Sequence, residues 1–392
     1  MSELLESRWQ DTKKALMEGL NGQKAKVMEA TLENTRKHLS ESATAGATSA
    51  GNVATLNRVI LPVIRRVMPT VIANELVGVQ PMTGPVGQIH TLRVRYADST
   101  SGGATNTTAG EEALSPFKIA EAYSGNDSDP ASAAATSSLE GQAGNRLSIQ
   151  ILKQTVEAKT RKLSARWTFE SAQDAQAQHG IDVEAEVMAA LAQEITAEID
   201  QEVLASLGNL AGTASETYDQ SAVSGTATFV GDEHAALAVQ INRVSNLIAQ
   251  RTRRGAGNWA VVSPFALTIL QSATTSAFAR TTEGTFEAPT NTKMVGTLNN
   301  AMKVYVNTYA SDDSPVLVGY KGSSESDAAA FYCPYIPLMS SGVVLDPSTF
   351  EPVVSFMTRY GYVELSNTAS SLGNAADYLG KVAISSGNVS FS

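Results

Sequence analysis

VGVQPMTGPVGQIHTLRVRY, residues 77–96, crowds three glycines and two prolines into positions 78–87 and then alternates apolar with polar side chains. A phosphate loop needs backbone N–H groups converging ahead of a helix, with a Lys-Ser/Thr pair or a G-x-G-x-x-G spacing. Neither is present, and the glycines run into strand-like alternation instead. Gly84 and Gly87 therefore read as turn residues around Pro85, feeding a strand from Gln88 to Tyr96. On that strand Ile89, Thr91, Arg93 and Arg95 share one side, and His90, Leu92, Val94 and Tyr96 the other, so one apolar face is expected.

Downstream, residues 97–145 form a polar span rich in Gly, Ser and Ala, far longer than ordinary connections in compact domains. Such a span is disordered or is shaped by neighbouring molecules. LSIQILKQTVEAKTRKLSARWTFESAQD (147–174) predicts a strand leading into a helix. The clearest helix follows: Val187, Leu191, Ile195, Ile199, Val203 and Leu207 recur every fourth residue, with Gly208 as the stop. Its Glu186, Glu194, Glu198, Asp200 and Glu202 read as a solvated acidic face. A second helix is expected over about 232–253, and WAVVSPFALTIL predicts a strand and then a helix begun at Ser263-Pro264. Short strands follow from 293 onward.

Upstream, residues 53–76 are apolar but divided by Pro62 and Pro69. Residues 3–39 read as a charged helix with a narrow stripe from Leu5 and Trp9 to Met28 and Leu32, the pattern of a helix that needs a partner. A structureless stretch of small residues, 40–52, separates the two and is the best boundary or processing region in the chain.

The 392 residues exceed what a single core usually holds, so two or more lobes are expected. A net charge of -10 argues against a protein that grips nucleic acid with its whole surface. Cys333 is the only cysteine, which excludes an intrachain disulfide and reads as a buried structural thiol. The N-terminus has acidic residues where a secretory leader has basic ones, and no apolar run of about 18 residues suggests a membrane span. His38, His90, His179 and His234 lie in no ligand spacing, and no nucleophile motif or cofactor motif appears. The enzyme reading has no specific residue behind it, and no cofactor is expected. RTRRGAGNW places Arg251, Arg253 and Arg254 at a predicted helix end, where they complement the helix dipole or meet carboxylates of another subunit or DNA phosphates.

Five segments in order, ELVGVQPMTGPVGQIHTLRVRY, VEAKTRKLSARWTFESAQD, RTRRGAGNW, VGYKGSSESDAAAFYCPYIPL and MTRYGY, resemble the major capsid protein of T4-like tailed bacteriophages, with the likeness running from Leu56 to Tyr362. The resemblance implies an α+β, HK97-type capsid fold with an N-terminal arm, an extended β-hairpin loop, a peripheral domain with a long spine helix, and an axial domain. Carried onto this chain, residues 1–41 become an assembly segment, 42–87 the arm and 88–146 the extended loop. The peripheral domain takes 147–255 with its spine at 182–207, the axial domain mainly 256–350, and 351–392 a return to the peripheral domain and a tail. Residues from LSNTASSLGNAADYLG onward match no part of the family pattern.

The resemblance further implies a structural protein that forms hexamers, and admits pentamers, in an icosahedral or prolate shell around double-stranded DNA. A vertex protein forming pentamers on the same fold is the alternative reading, and a soluble enzyme with a non-local site the reading from another class. The implied partners are other copies of the chain, a scaffold, a prohead protease, and vertex, portal and decoration proteins, with no membrane. The implied location is the host cytoplasm during assembly and then the virion capsid. The family's protease cuts after Leu or Ile, any residue, then Glu. Two places fit: Glu41 before Ser42, which is favoured by its place at the change in composition, and Glu18 before Gly19.

Overall fold

A computed structural model describes residues 72–100, 107–111, 113, 123–125, 132–141, 143–179, 182–223, 230–273, 278–280, 293–299, 301–325, 327–365 and 375–389, together with Lys26, Glu29, Ala30, Leu32, Glu33 and Asn34. The strands, in chain order, are β1 (Gly78–Val79), β2 (Val86–Tyr96), β3 (Leu147–Glu157), β4 (Lys159–Arg166), β5 (Glu216–Tyr218), β6 (Trp259–Val262), β7 (Phe278–Arg280), β8 (Lys293–Leu298), β9 (Met302–Val306), β10 (Val316–Gly319), β11 (Ala330–Ser340), β12 (Val344–Leu345), β13 (Pro352–Glu364) and β14 (Leu379–Ile384). With the helices between them, the chain is α+β, as the resemblance implies.

Two compact units divide the chain. The first takes described residues up to Gly87, Val156–Ala205 and Phe331–Val363. Its sheet runs β1-β11-β13-β12, with β4 paired to β13 in antiparallel register from Val353↔Arg166 to Tyr360↔Lys159. β11 and β13 are long, not the short strands expected there, and β13 alternates buried with half-buried residues over most of its length. Cys333 is buried in β11 as expected, and burial pushes its thiol up to about 12, so it stays protonated. Of the N-terminal segment, Leu32 is fully buried and Asn34 Nδ2 donates to the Met82 carbonyl at 2.7 Å and the Tyr335 carbonyl at 3.1 Å.

The 28-residue helix Val183–Leu210 starts where Asp182 Oδ1 accepts the Glu184 N–H at 3.1 Å, and acidic Glu184 and Glu186 occupy its positive end. Leu191, Ile195, Ile199, Val203 and Leu207 are buried, so the fourfold spacing does mark the inward stripe. Gly208 does not stop the helix. The chain runs on to Leu210 and turns at Gly212, whose φ of 69° suits a residue without a Cβ. The region 147–174 also differs from expectation: it holds two strands, β3 and β4, separated at Ala158, whose N–H donates to the Pro85 carbonyl at 2.9 Å, before the helix Phe169–His179.

The second unit takes Gln88–Thr155, Ser206–Ala330 and the described residues from Glu364 on. Its seven-stranded sheet has the order β5-β14-β10-β6-β9-β8-β7, mixing parallel β6/β9 and β5/β14 pairs with antiparallel neighbours. Leu237, Ile241, Val244 and Ile248 of the helix Val230–Thr252 pack with Val262, Val304, Val318 and Val382 of the sheet and Ile269 of the helix Pro264–Ser272. Ser263 caps that last helix by accepting the Ala266 N–H at 3.1 Å, with Pro264 in its first turn, as its sequence predicts. Two boundaries from the sequence shift here. The helix Val230–Thr252, assigned with 147–255 to the peripheral domain, belongs to this unit, and the supposed C-terminal tail supplies β14 to the interior of its sheet.

Candidate functional site

Among the described residues, β2 and β3 pair only with each other, as a two-stranded ribbon of 11 residues a side. A lone ribbon has no second layer on which to bury a face. The alternation of LSIQIL puts Leu147, Ile149 and Ile151 on one side of β3, and they are 54%, 69% and 66% exposed. Across the ribbon Leu92 is 64% exposed while Val94 and Tyr96 are half-buried, so the apolar face expected on β2 is only partly covered. Burying one such side chain stabilises by roughly 1.5–3 kcal/mol, and several left open in a row mark a contact surface.

The ribbon is fixed at its root. Gly87 lies within β2 and is not a turn residue as expected. A Cβ there would sit 3.0 Å from Val156 Cγ1, and one at Gly361 would sit 2.5 Å from Val156 Cγ2, so both glycines let backbone close on a buried valine. At the far end, Arg146 Nη2 meets Asp98 Oδ1 at 3.1 Å and the Arg146 N–H donates to Asp98 Oδ2 at 2.8 Å. The Arg146 side chain and N–H hold the Asp98 carboxyl below the usual carboxylate range. Tyr123 packs on Tyr96 with ring centroids 4.5 Å apart, accepts the Asp98 N–H and donates its hydroxyl to the Arg146 carbonyl. Tyr123, Thr107 and Ala113 are buried, so these three residues of the 97–145 span are covered by their own chain.

The first unit presents a second apolar surface. Phe169, Val343, Val344, Leu345 and Phe350 are all exposed, with the rings of Phe169 and Phe350 5.9 Å apart. They border a recess lined by Trp167, Val183 and Pro352. Phe350 has φ 57°, a backbone conformation that costs an L-residue energy.

The acidic side of the long helix is not a uniform solvated face. Glu198 and Glu202 each hold one nitrogen of Arg161 at 2.6 Å, and Arg161 Nε donates to the Tyr360 hydroxyl at 2.6 Å. Asp200 points elsewhere: it is 1% exposed and accepts the Ile72 N–H at 2.9 Å. Burial pushes its carboxyl up to about 7, partly opposed by that N–H. The sequence places Asp200, Glu198 and Glu202 together on a solvated face, and neither the burial of Asp200 nor the pairing with Arg161 was read from it. The only available signal for Asp200 is its helical position, two residues off the fourfold row of Glu194, Glu198 and Glu202.

Of the expected site residues, Arg251 lies in the last turn of the helix Val230–Thr252, Arg253 follows it with φ 50°, and Arg254 Nη1 pairs within the chain to Asp327 Oδ1 at 2.6 Å. Glu18, Gly19, Glu41 and Ser42 lie outside the described residues. His234 is buried against Ser272, and among the described residues no group of His, Cys, Asp and Glu is arranged to hold a metal. No helix among them is long and apolar enough to cross a membrane.

Comparison with known proteins bears on this surface. The family model described as major capsid protein Gp23 matches residues 53–384, reaching through β14 and so through most of the C-terminal stretch that the sequence motifs left unplaced. The major capsid protein of Vibrio phage KVP40 is 30% identical over 417 residues, covering 84% of this chain and 80% of that protein. That of Enterobacteria phage T4 is 31% identical over 404 residues, covering 81% and 76%. Among solved structures, Mycobacterium phage Bobi aligns with a TM-score of 0.48 at 15% identity over 80% of this chain and 89% of that one. The capsid of Myoviridae phage XM1 gives 0.45 at 12% over 80% and 91%. With a family model spanning most of its length and two relatives at this identity and coverage, the chain belongs to the Gp23 major capsid protein family.

Proposed function

We propose that copies of this chain form hexamers on an HK97-type fold and that these close an icosahedral or prolate shell around double-stranded DNA. The chain is a structural capsid protein and not an enzyme. The observation that carries the assembly reading is the exposed apolar side of β3, Leu147, Ile149 and Ile151, on a ribbon that pairs with no third strand among the described residues. Laid on a neighbouring subunit, that side loses its contact with water. In this reading the unit with the long helix is the peripheral domain, and the unit with the seven-stranded sheet, β14 included, is the axial domain. Shells need five-fold vertices, which the same chain or a related vertex protein supplies. Scaffold, portal and decoration proteins complete the particle, which assembles in the host cytoplasm.

Residues 1–41 act in assembly and are removed by a prohead protease between Glu41 and Ser42, with Glu18-Gly19 as a secondary site. Intact mass of subunits from DNA-filled particles tests this: a subunit beginning at Ser42 is expected, and one beginning at Met1 or Ser2 rejects it.

Electron microscopy of the purified full-length chain, with and without scaffold, tests the main reading. Shells or hexameric sheets are expected. Rings of five alone favour the vertex protein, and a subunit that stays monomeric at every concentration and salt ends the shell reading.

A further inference from the structure

The parallel pairing of β1 with β11 runs past β1 itself: the Gln80 N–H donates to the Tyr332 carbonyl and the Met82 N–H to the Pro334 carbonyl, each at 3.0 Å. At its end a third segment enters. The carbonyls of Met82 and Tyr335 converge on Asn34 Nδ2, 2.7 Å and 3.1 Å away, and the two hydrogens of one carboxamide serve both acceptors. Asn34 is 9% exposed, Leu32 is fully buried, and both stand on a helical stretch of the first unit, to which Met82 and Tyr335 also belong.

The junction has the chemistry of a receptor. Its polar part is selective, because two acceptors facing one point admit a donor with two hydrogens and repel a carboxylate. Two residues before that donor, a whole leucine side chain leaves water. The chain joins Asn34 to Ile72 through residues 35–71, and as a plain tether a connection of that length gives an effective concentration of no more than about millimolar. The seating of Leu32 and Asn34 is therefore a property of the fit more than of the covalent link.

We propose that the Met82–Tyr335 junction is a peptide-binding site for a segment that carries a leucine and, two residues later, a primary carboxamide, and that this chain's own residues around Leu32 and Asn34 bind there without a covalent link. Resting on the removal of residues 1–41 proposed above, this makes the cut after Glu41 the step that turns a fixed contact into an exchangeable one. Occupancy then follows the concentration of the excised segment. Its departure frees two carbonyls at Met82 and Tyr335, and the Met82 side chain lies within 3.5 Å of where a Cβ on Gly87 or Gly361 would sit, at the root of the ribbon.

The test uses the full-length chain with a site for a sequence-specific protease placed across residues 40–43, nicked after folding. Size-exclusion chromatography with intact mass of the eluted peak is expected to show the fragment 1–41 travelling with the body at high protein concentration and leaving it on dilution. A synthetic peptide of residues 24–41 is expected to displace the fragment. The same peptide with Asn34→Asp, which keeps the shape but sets an acceptor against two acceptors, or with Leu32→Ala, should need at least about tenfold more. Because these substitutions lie in the competing peptide, the folding of the body is untouched by them. Equal competition by the Asn34→Asp peptide overturns the proposal, as does a fragment lost at every concentration once nicked. A fragment that no peptide displaces is held elsewhere and overturns it too. Subunits from particles that begin at Met1 would instead reject the processing proposed above and leave this binding result standing, so the two failures are distinguishable.

Discussion

Asp200 accepts the backbone N–H of Ile72 at 2.9 Å with one oxygen, while its other oxygen, Oδ2, is buried with no hydrogen-bond partner among the described residues. The contact ties the long helix to Ile72 within the first unit. It also makes stability depend on pH in a direction opposite to most carboxylates. An unfolded aspartate titrates near 3.9, whereas burial holds Asp200 at about 7. Between these values the folded chain binds the extra proton, so the contribution of Asp200 to stability is greatest below about pH 4 and falls as pH rises to about 7, by on the order of 3–4 kcal/mol in total. In Asp200→Asn that component disappears. Urea denaturation at pH 5 and pH 8 should show the parent losing more stability across the interval than the variant. Equal losses in both proteins mean that the carboxyl does not titrate in this range.

The open side of β3 yields a sharper separation of folding from assembly. Replacing Ile149 and Ile151 by serine removes apolar atoms that are already mostly in water, so the subunit should melt within about 0.5 kcal/mol of the parent. In a shell the same side chains are covered, and each substitution forgoes roughly 1.5–3 kcal/mol per contact. Sedimentation should therefore show folded subunits that fail to form shells. Normal shells from this variant would show that the ribbon's apolar side is not an interface.

Much of this architecture is legible locally, and the exceptions have physical causes. The stripe from Leu191 to Leu207 identifies the long helix because burial and periodicity coincide there. Gly208 misleads because a Cβ at its position meets nothing within 4 Å; a glycine in such a place costs the helix a little but does not end it. The division of 147–166 into β3 and β4 follows their partners, β2 for the first and β13 for the second, which are distant in sequence, and no local pattern reports it. β14 is short and lies between β5 and β10, partners distant in sequence, so nothing near LGKVAI signals an interior strand. The proposed assembly surface is the hardest feature to read: Leu147, Ile149 and Ile151 alternate like any buried strand, and only their exposure distinguishes them.

Arg161 links β4, β13 and the long helix through Glu198, Glu202 and Tyr360. Burial raises the Glu202 carboxyl, but hydrogen bonds from Arg161 and Tyr360 outweigh it and leave its pKa below the ordinary glutamate value. A carboxylate lowered in this way stabilises the fold above the unfolded value of about 4.3, and that stabilisation is lost as pH falls through its folded value. Because the Glu202 side chain is 39% exposed, solvent screening reduces the cost of Arg161→Gln to about 1–2 kcal/mol near neutral pH, below the 3–5 of a fully buried pair. Denaturant titration at pH 7 and pH 3.5 should show the deficit shrinking at the lower pH. A constant deficit assigns the loss to packing of the arginine stem.

The root of the ribbon supports the last prediction. Asn34 donates to the carbonyls of Met82 and Tyr335, and a Cβ on Gly87 or Gly361 would lie within 3.5 Å of Met82 side-chain atoms, so this asparagine sits one residue away from the close packing that holds β2 against Val156. Asn34 also belongs to the segment whose removal is proposed. Cutting after Glu41 then takes away two hydrogen bonds at the root, each worth about 0.5–1.5 kcal/mol net, and the buried Leu32 side chain with them. Both Asn34→Ala and a chain lacking residues 1–41 should exchange amide hydrogens faster at Met82 and along the first residues of β2, while the second unit's β6 and β10 keep the parent's protection. The truncated chain is expected to show the larger change, since it loses Leu32 as well. If neither protein differs from the parent at these amides, the N-terminal segment does not restrain the ribbon, and its removal acts on assembly by some route other than the root.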